Sequence, residues 1–242
     1  MRESKKEMFR DKATQMEKMN LHLHTKYSDG IFSPSELIEA AIHYGINVVG
    51  FADHYLTNKT TAIQRYAEKS YLLEIAQLKK KYSYVIRVYA GVEIDCSLSD
   101  FQLEKYNYEF LNQLDFVLLE YVNDKAHDGI PLQDVLPFLD KLNVPVGLAH
   151  NDIGKNFEGI EHDVLAEFLS THGIFIELDT SRRYRRFDMP YYRIASDFFR
   201  NYGQMLKLSI GSDVHTEIEE IANIGDAINF VQKHNLEKSL IF

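Results

Sequence analysis

The sequence predicts an α/β fold in which seven parallel strands form a barrel-like array, with an open doubly wound sheet as the alternative. Three observations lead there. Seven short apolar or β-branched runs recur along the chain. Segments of helical periodicity separate them, and strand–helix alternation of this kind builds a parallel sheet. Five or more of the runs end in histidine or a carboxylate, and C-terminal strand ends are where parallel α/β folds place their sites.

The runs are Asn20–His24, Asn47–Ala52, Val85–Ile94, Asp115–Leu119, Val144–Ala149, Ile174–Leu178 and Leu206–Gly211. The helical segments are PSELIEAAIHYG, YLLEIAQLKKKY, PLQDVLPFLDKL, DVLAEFLSTHG and YYRIASDFFRNYG. Several open with Pro or a capping Ser or Asp, and several close at Gly45, Gly173 or Gly203. Residues 1–18 read as a charged arm, either helical or loose, and 19–242 as a single barrel domain. No linker rich in Pro, Gly or Ser interrupts it.

Composition narrows the function classes. The chain has 242 residues, 45% hydrophobic and 12% aromatic, which are globular values. Its one cysteine, Cys96, excludes a disulfide framework and a cysteine-based zinc site, and fits a cytoplasmic protein. No apolar run approaches the length of a membrane span, and the N-terminus lacks the apolar core of a signal peptide. A formal charge of −9, from 27 basic and 36 acidic residues, argues against long nucleic acid as a partner.

The polar residues at strand ends carry the chemistry. In LHLHTKYSDG, His22 and His24 stand one residue apart and share a strand face, with Leu21 and Leu23 expected on the other. Asp53 and His54 end the second run, Glu93 and Asp95 the third, His150 the fifth, Glu177 and Asp179 the sixth, and Asp213 and His215 the last. The Asp-x-His pair repeats the same-face logic of His-x-His. A histidine and carboxylate set without thiolate suits zinc, manganese or iron. This many donors exceed one tetrahedral ion, so two or three divalent ions with a bridging carboxylate are expected. Such a cluster holds phosphoryl oxygens and activates water, and neither GxSxG nor a Cys–His nucleophile pair is present. His43, His162, His172 and His234 lie in helical segments and are read as ordinary; His127 lies in a loop and stays open.

NLHLHTKYSDGIFSPSELIEAAIHYGINVVGFADH resembles the opening of the polymerase and histidinol phosphatase (PHP) family. The later Gly-x-Glu, the His after the fifth strand and the terminal Ser-Asp-x-His follow in order, so the resemblance runs from Asn20 to His215. It implies a distorted (β/α)7 TIM-like barrel with a metal site at the C-terminal strand ends. It also implies roles. His22, His24, Glu93 and Asp213 would hold one metal, with Glu93 bridging to a second. Asp29, His54 and His215 would hold another, and His150 would join Glu93 at the second.

The sequence departs from the family pattern after the fourth strand. The family usually carries His there, whereas DFVLLEYVND places Val122 at the matching position. Glu120, expected to share the face of Val122 in an extended segment, is the candidate replacement. Downstream, SRRYRRFDM sets four arginines after the sixth strand, and Arg suits phosphate through its planar fork; Arg182 and Arg183 are nearest. Asp53 is placed with these two in the catalytic set, as an orienting group beside His54, and Asp179 is a second orienting candidate.

The resulting expectation is hydrolysis of a phosphomonoester by a metal-bound hydroxide, histidinol-phosphatase-like, with a small phosphorylated substrate and a possible homo-oligomer. The alternatives are a nucleotide or oligonucleotide phosphoesterase, a phosphotyrosine phosphatase, and a non-catalytic metal-binding PHP module.

Overall fold

The computed structural model describes residues 16–242. The predicted arm over 1–18 therefore lies mostly outside the described residues; at its end, the Lys18 amide donates to Asn47 Oδ1 at 3.0 Å.

Seven strands form one parallel sheet: β1 (Met19–Leu23), β2 (Val48–His54), β3 (Arg87–Asp95), β4 (Phe116–Glu120), β5 (Val146–Leu148), β6 (Ile174–Asp179) and, after a two-stranded ribbon, β9 (Leu208–Gly211). The ribbon pairs β7 (Arg185–Arg186) with β8 (Met189–Pro190) antiparallel. The sheet order is sequential, β1-β2-β3-β4-β5-β6-β9. The ends then meet, since Leu23 bridges Val214 in parallel and the His24 amide donates to Val214 O at 2.9 Å. The sequential order and this closure give the distorted (β/α)7 barrel.

Each predicted run overlaps its strand, with both ends agreeing to within two residues. Two predicted helices are broken. PLQDVLPFLDKL forms a 3₁₀ turn, Leu132–Val135, and then a short helix, Leu136–Leu139, because Pro137 removes a donor and fits only the first turn of a helix. YYRIASDFFRNYG splits at Ala195 into Tyr191–Ile194 and Ser196–Tyr202. The helix Pro34–His43 forms as read. Ser33 caps it, accepting from the Glu36 amide, while Glu36 Oε2 accepts from the Ser33 amide at 2.7 Å.

Packing separates into two layers. The larger apolar cluster lies between strands and helices, and includes Leu23, Val49, Phe51, Val117, Leu119 and Val122. The smaller one is the barrel interior: Met19, Leu21, Val48, Ala52, Phe116, Leu118, Ala149 and Phe175. Leu21 and Leu23 thus do not share a face. The β1–β2 register shifts between Asn20 and Leu23, and this irregularity re-aims the strand. It lets Leu21 fill the interior while His22 and His24 also reach the barrel's C-terminal end.

Phe116 and Phe175 occupy the middle of the barrel because glycines face them. A Cβ on Gly91 would lie 2.4 Å from the Phe116 ring, and one on Gly147 2.1 Å from Phe175. Among the described residues, no helix is long and apolar enough to cross a membrane.

The interior packing makes a direct prediction. Gly91→Ala should lower stability by about 1–3 kcal/mol through overpacking, read as a lower urea midpoint. An unchanged midpoint would contradict the described seating of Phe116.

Candidate metal centre and active site

At the C-terminal end of the barrel, six of the seven strands deliver imidazole or carboxylate to one place. His22 Nε2 and His24 Nε2 lie 3.0 Å apart. Asp213 Oδ1 lies 3.6 Å from the first and 3.2 Å from the second. Glu93 places Oε1 3.5 Å from His22 Nε2 and Oε2 3.5 Å from His24 Nε2. On its other side Glu93 meets His150 Nε2 at 2.9 Å and His54 Nδ1 at 3.2 Å. Glu120 stands behind these, 3.6 Å from His54 Nδ1 and 4.0 Å from His150 Nε2. A third corner gathers around Asp29, with His24 Nδ1 and His215 Nε2 each 3.4 Å from Oδ1, and His54 Nε2 3.7 Å from Oδ2.

The donor atoms group accordingly. His22, His24 and Glu93 form one potential metal set, His24, Asp29, His54 and His215 a second, and His54, Glu93 and Glu120 a third. All nine residues assigned to metal from the sequence come to this one place. Asp29 Oδ1, His54 Nδ1 and Asp213 Oδ2 are buried without a hydrogen-bond partner. Orphaned donors and acceptors of this kind are costly unless something else satisfies them. Hard oxygen and imidazole nitrogen together fit divalent zinc, manganese or iron.

Local backbone explains the convergence. His150 and Asp213 both have positive φ, 30° and 52°, which turns each side chain inward as its strand ends. The His150 amide is held by Glu177 Oε2 at 2.8 Å. The other oxygen of Glu177 lies 2.9 Å from His22 Nδ1, a bond that leaves Nε2 of His22 facing the cluster. Gly211 permits this approach, since a Cβ there would sit 1.9 Å from Glu177 Oε1. Glu177 was legible as a polar strand end, but its double role was not. His22, Glu177 and Asp179 form a fourth donor set behind the cluster.

Charge is balanced within the cluster. Burial alone would lower His22, but Glu177 and Glu93 hold it well above the ordinary range. Burial opposes and Asp213 and Asp29 prevail at His24, raising it to about 10. For Asp213, burial is outweighed by His24 and the neighbouring imidazoles, which bring it to about 2. His54 falls to about 4, chiefly through burial. Glu120 is pushed well up by burial and by Glu93 and Asp95.

Val122 is not on the site face. Tyr121 has φ 63°, so the chain is not extended past Glu120, and Val122 turns into the outer core while its carbonyl accepts from Asn151 Nδ2 at 2.8 Å. The expected shared face of Glu120 and Val122 is corrected by that turn, and the carboxylate alone points to the cluster. Asp53 alternates to the other face of β2 from His54. Its oxygens accept from the Thr25 amide at 2.7 Å, Thr25 Oγ1 and Ser28 Oγ, fixing the turn that presents Asp29.

A cavity of about 240 Å³ opens onto the cluster, lined by Asp29, His54, Glu93, Glu120, Asp213 and His215, and closed by Lys59, Tyr121, Arg183 and Tyr184. Arg183 Nη1 lies 3.3 Å from His215 Nδ1 and 3.8 Å from Asp213 Oδ2. The other arginines of the loop are elsewhere. Arg186 pairs with Asp152 through two bonds, and Arg182 and Arg185 line a separate cleft with Asp226. Tyr184 stacks on His150, with centroids 3.7 Å apart and planes 4° from parallel. His127 bonds Asp124 at 2.8 Å and stacks on Tyr121 outside the cluster.

Comparison with known proteins agrees with this architecture. A histidinol phosphate phosphatase from Lactococcus lactis subsp. lactis, solved with zinc, L-histidinol and phosphate, superposes with a TM-score of 0.63 at 20% identity, covering 90% of this chain and 94% of that one. A putative histidinol phosphatase from Listeria monocytogenes gives 0.55 at 15% identity, covering 87% and 99%. No curated protein matches this chain in sequence. The PHP domain profile matches residues 20–234, nearly the whole barrel, and the chain therefore belongs to the PHP domain family.

Proposed function

We propose that this protein is a metal-dependent phosphomonoesterase acting on a small phosphorylated substrate. The observation that carries this reading is the set of contiguous donor groups sharing Glu93, His24 and His54, with three orphaned atoms and Arg183 at the mouth. His22, His24, Glu93 and Asp213 would hold one ion; Glu93, His150 and Glu120 a second; Asp29, His54 and His215 a third. Glu120 then takes the place that Val122 leaves. Bound divalent ions supply Lewis acidity toward phosphoryl oxygens and lower the pKa of water.

The chain's own residues do the rest. Arg183 reaches over Asp213 and donates to a phosphate oxygen, with a planar fork suited to that geometry. Glu177 orients the His22 ring and fixes the His150 main chain together. Asp53 holds the Thr25–Ser28 turn, so it acts on Asp29 by positioning. Tyr121 and Tyr184 narrow the mouth to a small leaving group. Histidinol phosphate is the first substrate to try, because the Lactococcus structure holds L-histidinol and phosphate on the same fold.

Turnover of p-nitrophenyl phosphate with added manganese or zinc tests the reading. His22→Ala and Asp213→Ala should each lose more than about a hundredfold while keeping the wild-type circular dichroism. Wild-type protein that is folded and metal-loaded yet inert toward phosphomonoesters would overturn it.

Metal loading should also release protons. His24, raised to about 10, carries a proton at pH 7, and a ligating imidazole must give it up. Titration calorimetry in buffers of different ionisation enthalpy should give heats that differ accordingly. Buffer-independent heats would contradict a protonated His24 in the metal-free protein.

A further inference from the structure

The cavity has a second cation at its rim that no sequence motif marks. Lys59 follows β2, whereas Arg183 follows β6, and the order β1-β2-β3-β4-β5-β6-β9 sets these strands on opposite sides of the barrel mouth. Lys59 Nζ lies 2.8 Å from the buried Asp95 Oδ2 and 4.7 Å from the centre of the Tyr121 ring. An ammonium has three donors, so the Asp95 contact leaves others for a ligand.

The loop that carries Lys59 is tied down on every side. Its amide donates to Thr57 Oγ1 at 3.2 Å. Asn58 donates to both oxygens of Asp100, from its amide at 3.3 Å and from Nδ2 at 3.2 Å. Asp100 in turn pairs with Lys105 Nζ at 2.6 Å. Thr60 Oγ1 donates to Asp29 Oδ2 at 3.0 Å, which joins the loop to the cluster itself. Anchors at Thr57, Asn58 and Thr60 fix the main chain that carries Lys59, and Asp95 holds its ammonium at the rim, which reduces the entropy lost when it binds a ligand.

Charge gives the reason. Asp29, Glu93, Glu120 and Asp213 all line this cavity, and its only cationic side chains among the described residues are Lys59 and Arg183. A phosphate dianion entering past four carboxylates needs positive charge on the protein as well as on any bound ions.

We propose that Lys59 is a phosphate-binding residue that contacts the substrate's phosphoryl oxygens from the side of the mouth opposite Arg183. This rests on the phosphomonoesterase reading and adds a second binding cation to it.

The test is equilibrium binding of inorganic phosphate to the metal-loaded protein by calorimetry, run beside p-nitrophenyl phosphate kinetics. Lys59→Met should weaken phosphate binding by about tenfold and raise KM in parallel. Lys59→Arg should restore most of both. Equal phosphate affinity in wild type and Lys59→Met, with only a lower melting temperature, would overturn the proposal and leave Lys59 as a neutraliser of Asp95. Wild-type protein that binds phosphate but turns over no ester would instead sink the hydrolase reading, so the two failures are distinct.

Discussion

Glu93 is the constraint around which the rest of the structure is arranged. It is buried at the end of β3 with one oxygen toward His22 and His150 and the other toward His24 and His54. A carboxylate buried alone would be neutralised by taking up a proton. Here burial is outweighed by imidazoles, first His22 and His150, which keep it well below the ordinary carboxylate range. Asp213 is held ionised in the same way, whereas burial, reinforced by neighbouring carboxylates, pushes Glu120 and Asp179 up. A divalent ion at each corner would satisfy Glu93, Asp213 and Glu120 together, whereas protons satisfy only some of them.

Irregular backbone builds this arrangement from regular strands. The register shift in β1 brings His22 to the site without exposing Leu21. Positive φ at His150 and Asp213 turns two strand ends inward, and positive φ at Tyr121 turns Val122 away. Such conformations cost energy in non-glycine residues and persist where surrounding contacts fix them. For His150 that contact is Glu177, which also orients His22. The same side chain thus links the strained end of β5 to the first histidine of β1.

Much of this was legible in the sequence, for a physical reason. Parallel strands buried on both faces read as apolar runs, so each polar residue at a run's end stood out: His22, Glu93, His150 and Asp213 were visible that way. Gly91 and Gly147 could be seen, but their partners, Phe116 and Phe175, depend on which strands are neighbours. Period-two reasoning assumes an extended chain, so it placed Val122 beside Glu120 and Leu21 beside Leu23, and failed at both backbone irregularities. Four arginines in one loop looked alike, yet Asp152 holds Arg186, Arg182 and Arg185 line a separate cleft, and Arg183 alone stands at the cluster. Lys59 carried no signal, since its meaning comes from a loop anchored by Asp95, Asp100 and Asp29, which are remote in sequence.

The measurement that bears most directly on the central claim is elemental analysis of metal per chain, on protein purified without chelator and compared with Glu93→Gln. Wild-type protein should hold about two or three manganese, zinc or iron ions per chain, and the variant sharply fewer, because Glu93 touches more than one donor group. Less than one ion per wild-type chain, even after metal is added back, would contradict that claim and leave the buried carboxylates balanced by imidazolium alone.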